Sequence, residues 1–349
     1  MRPFRTKERE RAIKRGLEFI YLMAQDEELF DVWGHDLLNC FCFISRTALD
    51  PALRRAARKV GRERGRRWRE KYPSLPRAMD AGTLYEHIHA TYALDRLGLR
   101  DAALKEQLRH AGRRVTVRDF FYFDPKTEPP PADATEPCEG CGLLNERGRR
   151  TCRQCRRRLE VINRYRLWYD ALIATYNCER VGLLVGARYV DVLKWLPVMR
   201  PYCGRDGDDN ADFYDCLYAV SHVVYTLNDY SLYRLKPGWL PQEYEFLKAN
   251  MQGAIETEDP DMMGEFLDSL KAFGLLDSHP LIRTGMDFLL SRQNADGSWG
   301  DVDAEDVYER YHPTWTAIDG LRDYAWRGER LSFPRLMPKL LAMNRQSQG

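Results

Sequence analysis

The pattern that indicates the architecture of this chain is clearest near the C-terminus, in the stretch Tyr311-His312-Pro313-Thr314-Trp315-Thr316-Ala317-Ile318-Asp319-Gly320-Leu321. Three earlier stretches also combine a helix start with a His or an acid, and they begin His89-Ala90-Thr91-Tyr92, Tyr169-Asp170-Ala171-Leu172 and Phe213-Tyr214-Asp215-Cys216. The pattern returns about every 45–50 residues, which indicates one helical unit repeated along the chain.

Apolar residues recur at helical spacing through almost every long segment, so the chain is predicted to be all-α. The predicted inner helices cover residues 34–47, 84–97, 168–181, 213–228, 264–273 and 311–324. Predicted outer helices fall between them, at residues 8–24, 51–71, 100–113, 186–196, 241–254 and 280–292. Six such hairpins predict an (α/α)6-like toroid whose inner helices surround a central cavity. An open superhelix of helical pairs is the alternative.

The overall charge of the chain is nearly balanced. Lys and Arg total 54 against 52 for Asp and Glu, so no overall field favours nucleic acid or a membrane surface. No apolar run is long enough to span a bilayer, and the N-terminus has no signal-peptide pattern. Nine cysteines, four of them at metal-ligand spacing, indicate a reducing, cytoplasmic location.

One interval between inner helices is too long, and the excess predicts an insertion. Residues 125–160 combine a Pro-rich linker with two CxxC pairs, and residues 1–124 and 161–349 form the two parts of the toroid. The pairs are Cys138 with Cys141 and Cys152 with Cys155. Four thiolates at this spacing predict a zinc ribbon with structural Zn²⁺. A rubredoxin-like iron site and a redox dithiol are the alternatives.

The ribbon is rich in arginine, and the run admits two interpretations. The side chains could bind phosphates, as in nucleic acid, or an acidic partner. They could equally solvate a small unit that lacks a hydrophobic core, and this second interpretation is favoured.

Polar residues at equivalent helix starts predict a second metal site inside the cavity. Alignment of the inner helices brings six of them to one level: His35, His89, Asp170, Asp215, Glu265 and His312. The first candidates for metal ligands are His89, His222, His312 and Asp215, with His35 and His87 in reserve. Imidazole and carboxylate donors suit Zn²⁺, Fe²⁺ or Mn²⁺. Alternatively, each residue caps or otherwise satisfies its helix start.

A cluster of acids precedes the fourth inner helix. Asp206, Asp208 and Asp209 would repel one another, which raises the pKa of at least one carboxyl and makes it a candidate proton donor. The same letters fit part of a calcium-binding loop, without its usual glycine and closing Glu. An exposed acidic loop that caps a helix is the remaining interpretation.

Gln293-Asn294-Ala295-Asp296-Gly297-Ser298-Trp299 resembles the Gln-x-x-x-Gly-x-Trp repeat of terpenoid cyclases and protein prenyltransferase β subunits. In that family the motif joins an outer helix to the following loop and braces the toroid. Asp206-x-Asp208-Asp209 resembles the proton-donating motif of class II terpene cyclases, which implies that Asp208 is the donor. Tyr311-His312 resembles a zinc-ligating helix start of protein prenyltransferases, which implies a metal on His312.

Three functions follow as hypotheses. The first is an enzyme that acts on a hydrophobic small molecule or chain through a cavity metal, as a hydrolase, oxygenase or transferase. The second is a proton-initiated cyclase that uses Asp208, with aromatic rings stabilising cationic intermediates. The third is a non-catalytic adaptor that binds a partner or nucleic acid through the Arg-rich ribbon.

Overall fold

The computed structural model describes residues 5–76, 79–135, 138, 140–141, 143, 145, 149–159, 161–204 and 211–346. Within these ranges the protein is mostly helical, which confirms the all-α prediction. None of the described helices is long and apolar enough to cross a membrane.

Six long helices contact one another in sequence order, and the last of them also contacts the first. We call these six the inner helices: α2 Glu27–Thr47, α4 Ala81–Leu97, α7 Arg164–Val181, α10 Ala211–Asn228, α13 Pro260–Ala272 and α15 Tyr308–Leu321. A helix is therefore present over each of the six ranges predicted as inner helices. They are buried on most of their circumference, as expected of helices that contact neighbours on several sides.

The remaining described helices are α1 Thr6–Gln25, α3 Pro51–Lys71, α5 Ala102–Gly112, α6 Val117–Phe121, α8 Tyr189–Leu193, α9 Leu196–Met199, α11 Pro241–Ala249, α12 Met251–Glu256, α14 Pro280–Ser291 and α16 Met337–Gln346. Several of them pack on two inner helices at once. Helix α3 contacts α2 and α4, and α14 contacts α13 and α15. One hydrophobic core extends through both sets of helices.

Each inner helix begins two to seven residues before its predicted start. For α2, α4 and α7 the reason is a capping side chain that lies further upstream. The side chain of Asp26 accepts hydrogen bonds from the first turn of α2, and Asp80 and Asn163 do the same for α4 and α7. Gly98 and Gly182 end α4 and α7 in the left-handed conformation, at the positions where glycine is favoured.

Two predicted outer helices are each divided in two. The 241–254 prediction is wrong at Asn250, whose side chain donates to the Phe246 carbonyl at 2.9 Å and separates α11 from α12. The 186–196 prediction is replaced by the short helices α8 and α9. Pro197 lies in the first turn of α9, where its missing N–H is tolerated.

Gln293, Gly297 and Trp299 connect the α14–α15 loop to the first helix of the chain. The Gln293 side-chain nitrogen donates to the carbonyls of Ala12, in α1, and Gly297, both at 2.9 Å. Gly297 has a φ of +97°, and a Cβ there would lie 2.8 Å from the Arg15 carbonyl oxygen. Trp299 is fully buried and donates to the Leu289 carbonyl at 2.8 Å. The motif therefore joins the two ends of the helical succession.

Two short strands enclose the cysteine-containing segment. Strand β1 (Asp133–Thr135) pairs antiparallel with β2 (Val161–Asn163), so the chain leaves and re-enters the helical body at one place. Between them, Cys138, Cys152 and Leu159 form a small hydrophobic cluster separate from the main core. The domain boundaries inferred above stay predictions.

Candidate functional site

A cavity of about 480 Å³ lies between the inner helices, and all six contribute to its lining. The imidazoles that line it are those of His35, His89, His222 and His312. Its carboxyl groups are those of Asp36, Asp170, Asp259, Asp261, Glu265, Asp268, Glu309 and Asp319. Its aromatic rings are those of Trp33, Phe43, Tyr85, Tyr169, Tyr214, Tyr218, Tyr225, Tyr230, Tyr308 and Trp315. The cavity is thus rich in carboxyl groups as well as in aromatic surface.

His312, in the second turn of α15, lies between two carboxylates. Its Nδ1 is 3.6 Å from Oδ2 of Asp36, and its Nε2 is 3.7 Å from Oδ1 of Asp261. One ligand atom from each of Asp261, Glu265 and His312 lies within 4.8 Å of the other two. Asp261 and Glu265 are four residues apart on α13 and therefore share a helix face. These three groups could hold one divalent cation.

Two buried carboxyl groups, those of Asp261 and Glu265, lie beside the one imidazole of His312. Oδ1 of the buried Asp261 has no hydrogen-bond partner, while the Ser221 hydroxyl donates to Glu265. Burial and the neighbouring Asp261 raise the pKa of Glu265 well above its usual range. Burial alone would lower the pKa of His312, but Asp261 and Asp36 raise it to about 9. A cation bound among these groups would relieve the repulsion between the two buried carboxylates.

Asp36 links His312 to the opposite wall. The Tyr311 hydroxyl donates to its Oδ2 at 2.9 Å, and Nε2 of His89 is 3.5 Å from its Oδ1. Burial opposes ionisation, yet His312 and His89 hold the pKa of Asp36 well below its usual range. A carboxylate on the far nitrogen of a metal-binding imidazole orients the ring and raises its basicity, and Asp36 has the position for that role.

The His222 ring is neutral, and its hydrogen bond to the backbone uses the nitrogen Nδ1. Burial lowers its pKa to about 4, and its Nδ1 is 2.7 Å from the Tyr218 carbonyl oxygen. Because a carbonyl only accepts, Nδ1 carries the proton and Nε2 carries the lone pair. The ring stacks on Tyr169 with centroids 4.8 Å apart. Nε2 of His222 is therefore the unprotonated ring nitrogen.

The other cavity histidines have different surroundings. Nδ1 of His89 is 2.7 Å from the Asn177 side-chain nitrogen and accepts from it, which leaves the proton of His89 on the nitrogen that faces Asp36. His35 packs edge-on against His89 at 6.0 Å, and burial lowers its pKa to about 4. With both nitrogens of His89 engaged, His312 is better placed than His89 to bind a metal.

Some predicted site residues lie elsewhere. Five of the six residues predicted at one level line the cavity, but Asp215 does not. Asp215 lies near the start of α10, next to the end of β2, and its carboxylate accepts a hydrogen bond from the Asn163 side chain at 2.6 Å. His87 is also outside the lining and packs against Trp68 and Tyr72. Asp206, Asp208 and Asp209 fall outside the described residues.

Sequence reasoning missed Asp36 and Asp261. Asp261 had a recognisable signal, because Asp261 and Glu265 have the i, i+4 spacing that places two carboxylates on one face of an inner helix. The only signal for Asp36 in the sequence was its position next to His35. Its contacts with His89 and His312 join helices far apart in the sequence.

The four predicted zinc ligands are brought together. The Sγ atoms of Cys138 and Cys155 are 3.3 Å apart, those of Cys141 and Cys152 are 3.6 Å apart, and all four lie within 4.8 Å of one another. Backbone N–H groups, first that of Cys155, lower the pKa of Cys152 to about 6, which favours the thiolate that metals bind. This cluster can hold a metal ion.

Comparison of the chain with models of protein families, with curated proteins and with solved structures finds no match. The geometry of the site is therefore the basis for the function inferred below.

Proposed function

We propose that the protein is a metal-dependent enzyme built as an (α/α)6-like toroid, with its active site in the cavity between the inner helices. Support for a closed toroid comes from the succession of helix contacts, in which α15 returns to α2. The connection from Gln293 to Ala12 supports the same closure. An open superhelix would leave its first and last units apart.

The observation that carries the proposal is the grouping of His312, Asp261 and Glu265 within 4.8 Å at the wall of the cavity. One imidazole and two carboxylates are donors for Zn²⁺, Mn²⁺ or Fe²⁺, and three protein ligands leave coordination positions for substrate or water. A bound cation would polarise a substrate group or lower the pKa of water.

The chain's own residues would perform the remaining steps. Asp36 would hold the His312 ring in the orientation required for binding, through the nitrogen opposite Asp261. The neutral His222, whose Nδ1 is 3.6 Å from Glu265, would accept a proton on its free Nε2. The enclosing aromatic rings would bind the apolar part of a small molecule and limit its contact with water.

The insertion is proposed to be a structural zinc ribbon. Four thiols in one cluster, with only a small hydrophobic cluster around them among the described residues of the insertion, are typical of small units that depend on a metal for folding. The two other functions inferred from the sequence, a proton-initiated cyclase that uses Asp208 and an adaptor that binds through the Arg-rich ribbon, stay predictions.

The first test is metal content per chain by elemental analysis, combined with calorimetric titration of the metal-depleted protein with Zn²⁺, Mn²⁺ and Fe²⁺. Wild type is expected to hold two metals. Cys138→Ser/Cys141→Ser should lose one and keep the other, whereas His312→Ala should do the reverse. Asp36→Asn should weaken binding at the cavity site by about 10–100-fold.

Glu106→Gln, at an exposed position of α5, is the matched control and should change neither metal. A single metal that disappears with the Cys138→Ser/Cys141→Ser variant, with no further binding in the titration, would contradict the cavity-metal proposal. The cyclase and adaptor hypotheses would then lead.

A further inference from the structure

Helices α13 and α15 approach so closely that their cavity-facing side chains form one continuous strip. A Cβ on Gly264 would lie 2.3 Å from the backbone carbonyl of Thr316, and a Cβ on Gly320 would lie 3.0 Å from the Cα of Gly264. At i, i+4 and i+7 spacing, α13 presents Asp261, Glu265 and Asp268. At corresponding positions α15 presents His312, Trp315 and Asp319.

The end of this strip that lies away from the proposed metal site has two carboxyl groups, those of Asp268 and Asp319, and one guanidinium group, that of Arg322. Arg322 donates to Asp319 at 2.5 Å, and Trp315 donates to the other oxygen of Asp319 at 2.9 Å. The Ser231 hydroxyl lies within hydrogen-bonding distance of both oxygens of Asp268, at 2.6 and 2.8 Å. Burial and Asp319 raise the pKa of Asp268 to about 7, although Arg322 is nearby. With both carboxyl groups ionised, the lining at this end has one more negative than positive charge.

Aromatic rings surround the same end of the strip. The rings of Phe43 and Tyr230 are stacked, with their centroids 4.3 Å apart. The Trp315 centroid lies 5.9 Å from that of Phe43, and the Tyr225 centroid lies 6.1 Å from that of Tyr230. The faces of such rings attract cations.

The backbone that delivers Tyr230 is strained. Asp229, Tyr230 and Ser231 have consecutive φ values of 59°, 49° and 62°, a conformation that costs free energy at each non-glycine residue. The turn places the Tyr230 ring at the cavity and the Ser231 hydroxyl on Asp268.

Acidic groups outnumber basic ones in the cavity as a whole. Among the described residues that line it there are eight carboxyl groups and two guanidinium groups, those of Arg166 and Arg322. A divalent ion at the proposed metal site would neutralise only part of this excess.

We propose that the substrate is an organic cation, an amine with an apolar body, whose ammonium group binds between Asp268, Asp319 and the surrounding rings. The inference rests on the proposed function, because it places the reacting end of the substrate at His312, Asp261 and Glu265. Asp261 and Asp268 are seven residues apart on α13, which corresponds to about 10 Å along the helix axis. A small amine can span that distance within the cavity.

The test uses three probes that share one ring and differ in charge: phenethylamine, 2-phenylethanol and phenylacetate. Their affinities for the metal-loaded full chain are measured by calorimetry. Phenethylamine should bind at least ten-fold more tightly than 2-phenylethanol, and phenylacetate should bind most weakly. Equal affinities, a preference for the alcohol or the acid, or no binding of any probe at millimolar concentration would overturn the proposal.

Asp268→Asn should reduce the preference for the amine at least ten-fold, and Asp319→Asn provides a second variant should the first fail to fold. Glu106→Gln should keep the preference. Metal content measured on the same preparations separates the two proposals. Amine selectivity without a cavity metal would refute the metal-dependent function alone, whereas a cavity metal without amine selectivity would refute the substrate class alone.

Discussion

His87 and His89 lie two residues apart on α4, and their side chains point to different environments. His89 lines the cavity and bonds to Asn177, while His87 packs against Trp68 and Tyr72 with ring centroids 5.7 and 4.9 Å away. Residues two apart on a helix cannot share a face, so the sequence predicts that at most one of them faces inward. Which one does so depends on how α4 packs against α2, α3 and α7.

The buried position of His87 gives a prediction about pH. Burial lowers its pKa to about 4, below the usual value of 6.5, so the folded protein favours the neutral ring. The stability that the neutral ring contributes is fully present above the unfolded pKa and is lost as pH falls towards 4. Through this group, the free energy of unfolding of wild type should be about 2 kcal/mol lower at pH 5 than at pH 7.

His87→Phe should remove that part of the pH dependence, as measured by urea unfolding at pH 7 and pH 5. The same substitution at the exposed His110 is the control and should leave the difference between the two pH values unchanged. An unaltered pH dependence in His87→Phe would show that the ring is not held neutral by burial.

At the scale of helices, the contact between α13 and α15 depends on the absence of a side chain at Gly264. A Cβ there would lie 2.3 Å from the carbonyl carbon and oxygen of Thr316, and backbone atoms cannot move aside as the end of a side chain can. Gly264→Ala should therefore separate the helices that present Glu265 and His312.

Gly264→Ala should lower the free energy of unfolding by about 2 kcal/mol or more, because overpacking outweighs the gain in helix propensity. The effect is measured by chemical denaturation and by the metal affinity of the cavity site, which should also fall. Gly82→Ala, in another inner helix, is the control. Its Cβ would meet only an Asp80 oxygen at 3.7 Å, so it should be neutral or stabilise by about 1 kcal/mol. Equal effects of the two substitutions would contradict this account.

Helical periodicity was sufficient to predict the inner helices and most outer ones, because a repeating apolar pattern is a local property of the chain. The boundaries were less accurate. The side chain of Asn250 bonds to the backbone of α11, and this competes with the helix that the pattern predicts through residue 254.

At the scale of the whole molecule, the Gln293 side chain joins the two ends of the helical succession. It donates to the Ala12 and Gly297 carbonyls and accepts from Arg15 at 3.3 Å. Gln293→Ala removes these three partly buried hydrogen bonds and should lower the free energy of unfolding by about 2 kcal/mol.

Gln252 provides the comparison for this prediction, since its side-chain nitrogen donates to Glu256 on the exposed surface at 3.1 Å. Gln252→Ala should change the free energy of unfolding by less than about 0.5 kcal/mol. Hydrogen exchange of α1 amides should also become faster in Gln293→Ala. Unchanged exchange in α1 would mean that the connection does not hold the first helix in place.

The sequence by itself determined the all-α class, the inner helices and the cysteine cluster. Each of these depends on residues close together in the chain, whose spacing sets which side chains share a helix face or one metal site. It also identified four histidines that line the cavity. The tertiary structure alone decided which polar groups meet. Asp36, Asp261 and His312 come from three helices, and their distances depend on helix packing, such as the close approach at Gly264, that no local pattern encodes.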